Sequence, residues 1–301
     1  MSPILDKFVR ISEFDNPERV ADILFVHGLG GHSLATWHPT GSEENRNSWP
    51  FWLSSDLPTV GIWSLGYTAQ PSEWKGGTTM PLVDRAINIL AQLDVHGIGT
   101  RPLLFITHSL GGLLVKQMLR HALDFGQPVW TTLVANTCGI VFLSTPHSGS
   151  DLASWLKYLS GILRPTVTIS ELEAHHSRLR ELNHLYRNHK LLSHIPIQVY
   201  YETRPTHGVM VVNQTSADPG IPGVIPIPLE EDHISICKPS SPQQLVYMRV
   251  KSFIERQLAY TPPDPLRQES MVLAIDTSTI GNKFGDNTVV NGPIIGRDLT
   301  R

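Results

Sequence analysis

The chain has 301 residues, 41% of them hydrophobic and 17% charged, with a formal net charge of −3 at neutral pH. That length suits one large α/β domain or two smaller ones, and the composition excludes a disordered chain. The charge gives no electrostatic reason to expect nucleic acid as a partner.

The first residues, "MSPILDKFVRISEFD", lack the apolar core of a signal peptide and carry acids that transit peptides avoid. No apolar run reaches the ~18 residues of a membrane span, and no Lys/Arg run forms a polybasic anchor. The expectation is an intracellular protein, cytoplasmic or peripheral at an organelle membrane. The sequon Asn213-Gln214-Thr215 would then not meet the glycosylation machinery. The two cysteines, Cys138 and Cys237, sit beside apolar residues and read as buried free thiols.

Along the chain, short apolar runs rich in β-branched and aromatic residues predict strands: "DILFVHG" (22–28), "VGIWSLG" (60–66), "LLFITH" (103–108), "CGIVFLST" (138–145) and "IPIQVYYE" (195–202). Runs this continuous fit strands buried on both faces, as in a parallel sheet covered by helices. Helical patterns lie at 81–95 and 110–124. The second carries Val115, Met118, Leu119, Ala122 and Leu123 on one stripe. The segment 151–192 breaks the rhythm with two further stripes: Trp155, Tyr158, Leu159 and Ile162, then Leu172, Leu179, Leu182 and Tyr186. It reads either as a small helical cap over the sheet's carboxyl edge or as plain structural cover. A last helix falls at about 241–259. The domain therefore spans 1–260, followed by a Pro-rich linker at 261–278 and a tail at 279–301.

Three pieces carry chemistry. Ser109 ends a strand and opens a helix, the context of a nucleophile elbow, with Gly111 two residues on. Two residues before it stands Thr107, where that motif has glycine. The glycine-rich "FVHGLGGHS" (25–33) follows the first long strand, where backbone amides can stabilise an oxyanion. Leu29, with Gly28, and Leu110 are the candidate donors. A phosphate cradle is excluded by the missing G-x-x-x-x-G-K-[ST] pattern. Finally, "EEDHISICKP" (230–239) lies between the last strand-like run and the last helix, so His233 is the candidate base. Glu202 at the end of "IQVYYE" is the favoured carboxylate to orient it, with Asp218 in "TSADPG" as the alternative. Asp232 is too near His233 in sequence to serve comfortably. His27 and His108 read as loop-fixing residues. No metal is expected, since no H-E-x-x-H is present and two cysteines are too few for a zinc cluster.

Five blocks in order, "ILFVHGLGG", "THSLGGLLVKQML", "VFLSTPHSGSD", "YYETRPT" and "DHISICKP", resemble the α/β-hydrolase family of serine-active-site-containing proteins. They resemble equally the SesB-type lipase-like domains of fungal signalling proteins and, more distantly, the GPI-inositol deacylases. The resemblance covers roughly residues 20–258. It implies an α/β-hydrolase fold, a mostly parallel central sheet flanked by helices with a small helical cap. It implies a cofactor-independent serine esterase or lipase acting on an acyl ester or lipid, with a membrane surface as a partner. Ser109 and His233 match directly, Glu202 matches by its place in "YYET", and His147 matches as part of the site wall. An acyltransferase would use the same residues, and a signalling module that keeps the shape with little catalysis is the competing class. The tail "GNKFGDNTVVNGPIIG" (281–296) loosely resembles fungal amyloid signalling motifs, which would supply a receptor partner through cross-β stacking. Pro293 departs from that pattern, and an unstructured tail is the plain alternative.

Overall fold

The computed structural model describes residues 8–12, 18–67, 80–147 and 180–259. The linker 261–278, the tail 279–301 and most of the 151–192 insertion lie outside the described residues. Seven strands form one sheet: β1 (Phe8–Arg10), β2 (Ala21–Val26), β3 (Val60–Leu65), β4 (Leu103–His108), β5 (Thr137–Leu143), β6 (Ile197–Glu202) and β7 (Ile227–Leu229). Their order is β1-β3-β2-β4-β5-β6-β7. Every pairing is parallel except β1 with β3. The helices are α1 (Trp49–Asp56), α2 (Leu82–Val95), α3 (Leu110–Phe125), α4 (Pro128–Asn136), α5 (180–188), the single turn α6 (Gln214–Ala217) and α7 (Leu245–Ala259). This is an α/β-hydrolase fold.

The central strands are buried on both sides because their side chains alternate between two cores. Leu24 and Val26 of β2, Phe105 of β4 and Phe142 of β5 face one cluster with Leu90, Leu114, Met118 and Leu133. Phe25, Ile106 and Val141 face the other, with Trp37, Trp49, Val250 and Phe253. Helices α2, α3 and α4 therefore cover the first face, and α1 and α7 the second. Sequence periodicity does not mark α1, α4 or β1. Helix α1, "WPFWLSSD", places aromatics all around a short segment with Pro50 in its first turn, so no apolar stripe exists to be read.

The chain runs outward from β2 to β3 and then crosses back to β4 on the other side of β2. At such a reversal the loops after the two inner strands part and leave a crevice at the carboxyl edge. The loops meeting there follow β2 and β4, the glycine-rich loop and the Ser109 turn. In the part of the insertion that is described, Leu182 and Tyr186 of α5 are buried. Tyr186 joins the core cluster beside α3.

Candidate active site

Ser109 sits between β4 and α3 at φ 52°, ψ −122°, a backbone conformation that is costly for a residue with a side chain. The turn is held from both sides. The Ser109 amide donates to the Leu143 carbonyl at 2.9 Å, and its own carbonyl accepts from the Gly112 amide and the Thr145 hydroxyl, each at 3.1 Å. Two glycines let the neighbouring backbones come this close. A Cβ on Gly111 would lie 2.3 Å from the Val26 carbonyl oxygen, and one on Gly28 would lie 2.8 Å from the Ser109 Cβ. Thr107, the departure from the elbow pattern, is fully buried and donates its hydroxyl to the Val141 carbonyl at 2.8 Å. Its side chain thus has both room and an acceptor.

His233 arrives on the loop after β7. Its ring Nε2 lies 3.0 Å from the Ser109 Oγ, and its Nδ1 lies 3.4 Å from Glu202 Oε1. The latter is long for a hydrogen bond. Glu202 closes β6, so the strand end delivers it to the same edge. All three residues are buried, at 3%, 2% and 1% exposure for Ser109, His233 and Glu202, so water does not screen their interactions. Asp218 lies elsewhere. It is exposed, and its Oδ1 accepts from the Gly220 amide.

The loop that carries His233 is pinned at three points. The His233 amide donates to the Thr206 hydroxyl at 2.9 Å. Its carbonyl lies 2.7 Å from His108 Nε2, and a carbonyl can only accept, so that His108 nitrogen carries the proton. Asp232 Oδ1 accepts from the Ile234 and Ser235 amides, each at 2.8 Å, fixing the turn around His233. Burial pushes the Asp232 carboxyl up, but these hydrogen bonds outweigh it and hold the group below its usual range. His108 is held well below the ordinary histidine value, first by burial and then by repulsion from His233. It therefore stays a neutral donor at neutral pH. His27 stacks on Tyr67 with centroids 4.3 Å apart, and the Tyr67 hydroxyl donates to the His27 carbonyl at 2.6 Å. That ties the glycine-rich loop to the end of β3.

Among the oxyanion candidates, Gly28 packs against Ser109 as described. Leu110 opens α3, and a first-turn amide has no partner carbonyl within its helix. Leu29 lies inside a turn closed by the Gly31 amide on the Gly28 carbonyl at 3.1 Å. Sequence patterns give no sign of the contacts that hold Glu202. The Ser144 hydroxyl donates to Glu202 Oε2, and the Val212 amide donates to Oε1 at 2.5 Å.

Beneath the elbow lies a second polar group. Lys116 of α3 is fully buried, with its Nζ 2.7 Å from both His147 Nδ1 and Asn183 Oδ1. The same amine stands 4.8 Å from the centre of the Tyr186 ring and 5.4 Å from that of Phe142. Burial pushes the amine well below the ordinary lysine value. His147 is likewise pushed well below the ordinary histidine value, by burial and then by Lys116. Cys237 is buried and Cys138 half-buried, and neither forms a disulfide. Burial pushes their thiols up to about 12 and about 11. Among the described residues no three His, Cys, Asp or Glu side chains gather as a metal site. Nor is any described helix long and apolar enough to cross a membrane.

Comparison with known proteins gives a close relative. Protein SERAC1 of Homo sapiens is 35% identical over 260 residues, covering 79% of this chain and 39% of that protein. The chain is homologous to it. Protein SERAC1 of Danio rerio is 33% identical over 261 residues with the same coverage. The chain thus spans well under half the length of the curated relatives it matches. No family model matches. Among solved structures, Est1E from Butyrivibrio proteoclasticus aligns with a TM-score of 0.49 at 16% identity, over 84% of this chain and 96% of that one.

Proposed function

We propose that this chain is a serine hydrolase that cleaves acyl esters through Ser109, His233 and Glu202. The observation that carries the reading is the run of contacts from the Ser109 Oγ to His233 Nε2 at 3.0 Å, and from His233 Nδ1 to Glu202 at 3.4 Å. A hydroxyl is a weak nucleophile until a base takes its proton. In the proposed first step the Ser109 Oγ attacks the ester carbonyl carbon and its proton passes to His233 Nε2. The carbonyl oxygen becomes an oxyanion, which the amides of Leu110 and of Leu29 or Gly28 would face. As the intermediate collapses, the leaving alkoxide takes the proton from Nε2. Water then gives a proton back to Nε2 as it attacks the acyl-enzyme, and a second collapse restores Ser109. Glu202 keeps the imidazole in the tautomer with Nε2 open to the hydroxyl and stabilises the imidazolium that forms.

The resemblance to lipase-like families makes lipid esters the first natural substrates to assay, at a membrane surface. The deciding experiment is covalent. A fluorophosphonate should label the wild-type chain and not Ser109→Ala, and hydrolysis of a p-nitrophenyl ester should fall by on the order of 10⁴ or more in that variant. A folded Ser109→Ala that still labels or still turns over at the wild-type rate would end this reading.

A further inference from the structure

We propose that Ser144 is a positioning residue for the Glu202 carboxylate. It locks the acid in line with His233 through a hydroxyl held in place by a strained backbone. The inference rests on the serine-hydrolase reading above and adds to it a residue outside the Ser–His–acid set.

Ser144 is the residue after the last of β5, and its amide continues the ladder by donating to the Tyr200 carbonyl of β6 at 2.9 Å. It stands at φ 45°, the left-handed region that a residue with a Cβ adopts only under strain. Among the described residues only Asn47, Ser109 and His207 share a positive φ without being glycine, and Ser109 is the proposed nucleophile. A glycine would relieve the strain at Ser144 but would lose the side chain, and that side chain has a specific contact.

The left-handed turn carries the Ser144 hydroxyl to Glu202 Oε2, where it donates. The Val212 amide donates to the other oxygen, Oε1, at 2.5 Å, and it is this Oε1 that lies 3.4 Å from His233 Nδ1. Both oxygens of a fully enclosed carboxyl are thus held by neutral donors, one from the residue that follows β5 and one from the 203–213 loop. Apart from His233, no basic side chain among the described residues forms an ion pair with Glu202. With no cation to anchor it, the plane of the carboxyl is set by these two donors. Removing the hydroxyl leaves Oε2 buried and unmatched, and the carboxyl can then rotate about its last bond away from Nδ1. Burial alone would not fix this angle, because terminal carboxyl torsions are broad.

The test uses two variants of the full chain that lose the same hydroxyl with different backbone consequences. Ser144→Gly adopts φ 45° without strain, whereas Ser144→Ala keeps the Cβ and the strain. Both should lower kcat on a p-nitrophenyl ester by a similar factor, on the order of 10 to 10², with KM within about twofold. Ser144→Gly should melt at or above Ser144→Ala, so the loss of kcat does not follow the loss of stability. The downfield proton resonance of the His233 Nδ1–H should move or broaden in both. A Ser144→Gly protein with wild-type kcat overturns the inference, as does a kcat that simply tracks the melting temperature across the two variants. Wild-type labelling that does not depend on Ser109 would remove the hydrolase reading and this inference with it. Ser109-dependent labelling with an unimpaired Ser144→Gly overturns the inference alone.

Discussion

Gly111→Ala separates local propensity from tertiary packing, because the two predict opposite signs. Gly111 lies in the first turn of α3, and an exposed helical glycine replaced by alanine gains up to about 1 kcal/mol. Here the added Cβ would stand 2.3 Å from the Val26 carbonyl oxygen and 2.5 Å from that of His27. Both atoms belong to the backbone at the end of β2, which is hydrogen-bonded into the middle of the sheet and cannot yield as a side-chain tip could. Restoring a normal non-bonded separation of about 3.5 Å requires α3 to retreat by roughly 1 Å. Overpacking of this kind costs about 1–3 kcal/mol, leaving a net loss of up to about 2 kcal/mol after the propensity gain. In a domain of this size each kcal/mol moves the melting temperature by about 2–4 °C, so a fall of up to about 8 °C is expected. The same retreat carries Ser109 away from His233. A displacement near 1 Å costs on the order of 10² in rate, to be read as slower fluorophosphonate labelling. Thermal melting monitored by far-UV circular dichroism gives the first number and timed labelling the second. A Gly111→Ala protein that melts at or above wild type and labels at the wild-type rate would refute the close-approach argument.

Glu202→Gln should lower kcat by far more than Asp218→Asn, since Glu202 faces His233 Nδ1 and Asp218 caps an exposed turn; the reverse ranking, measured with both variants folded, would make Asp218 the acid. Lys116→Met tests the buried amine by pH. Burial lowers the Lys116 value in the folded chain, so the unfolded chain binds the extra proton and stability rises with pH. The cost is absent above the ordinary lysine value near ~10.4, grows as pH falls from there towards the lowered folded value, and is complete below it. Wild type should therefore gain stability relative to Lys116→Met between about pH 7 and 10, followed by urea denaturation. Parallel curves for the two proteins would show that Lys116 does not titrate with unfolding.

Much of the sheet was legible in the sequence because its strands are uninterrupted apolar runs. "LLFITH" and β4 coincide at Leu103–His108, and α3 ends within one residue of its expected limit. The periodic stripe of α3 likewise reflects one-sided burial, a property each residue carries locally. The order of the strands did not follow from such patterns. It depends on which runs pair across the chain, and the crossover from β3 back past β2 to β4 brings the loops after β2 and β4 to one edge of the sheet.

Within the candidate site, Ser109 and His233 stand out in the sequence because each lies near a strand or helix boundary with recognisable neighbours. Glu202 is the favoured carboxylate from its place at a strand end, with Asp218 left open as the alternative because it too sits in a plausible place along the chain. Three-dimensional packing brings Glu202 to 3.4 Å from His233 Nδ1 and leaves Asp218 exposed. Composition likewise assigns a lysine to the surface. Lys116 is buried because the same helix that presents Ser109 must pack against the His147 loop and Asn183 of α5. Ser144 lies inside the block "VFLSTPHSGSD", but nothing in that run points to its contact with Glu202, which comes from a backbone angle and a partner 58 residues away. Hydrophobic pattern and turn chemistry are properties of neighbours in the chain, and they determined the elements. Which polar groups meet in the dry interior depends on long-range pairing, and only the tertiary structure decided that.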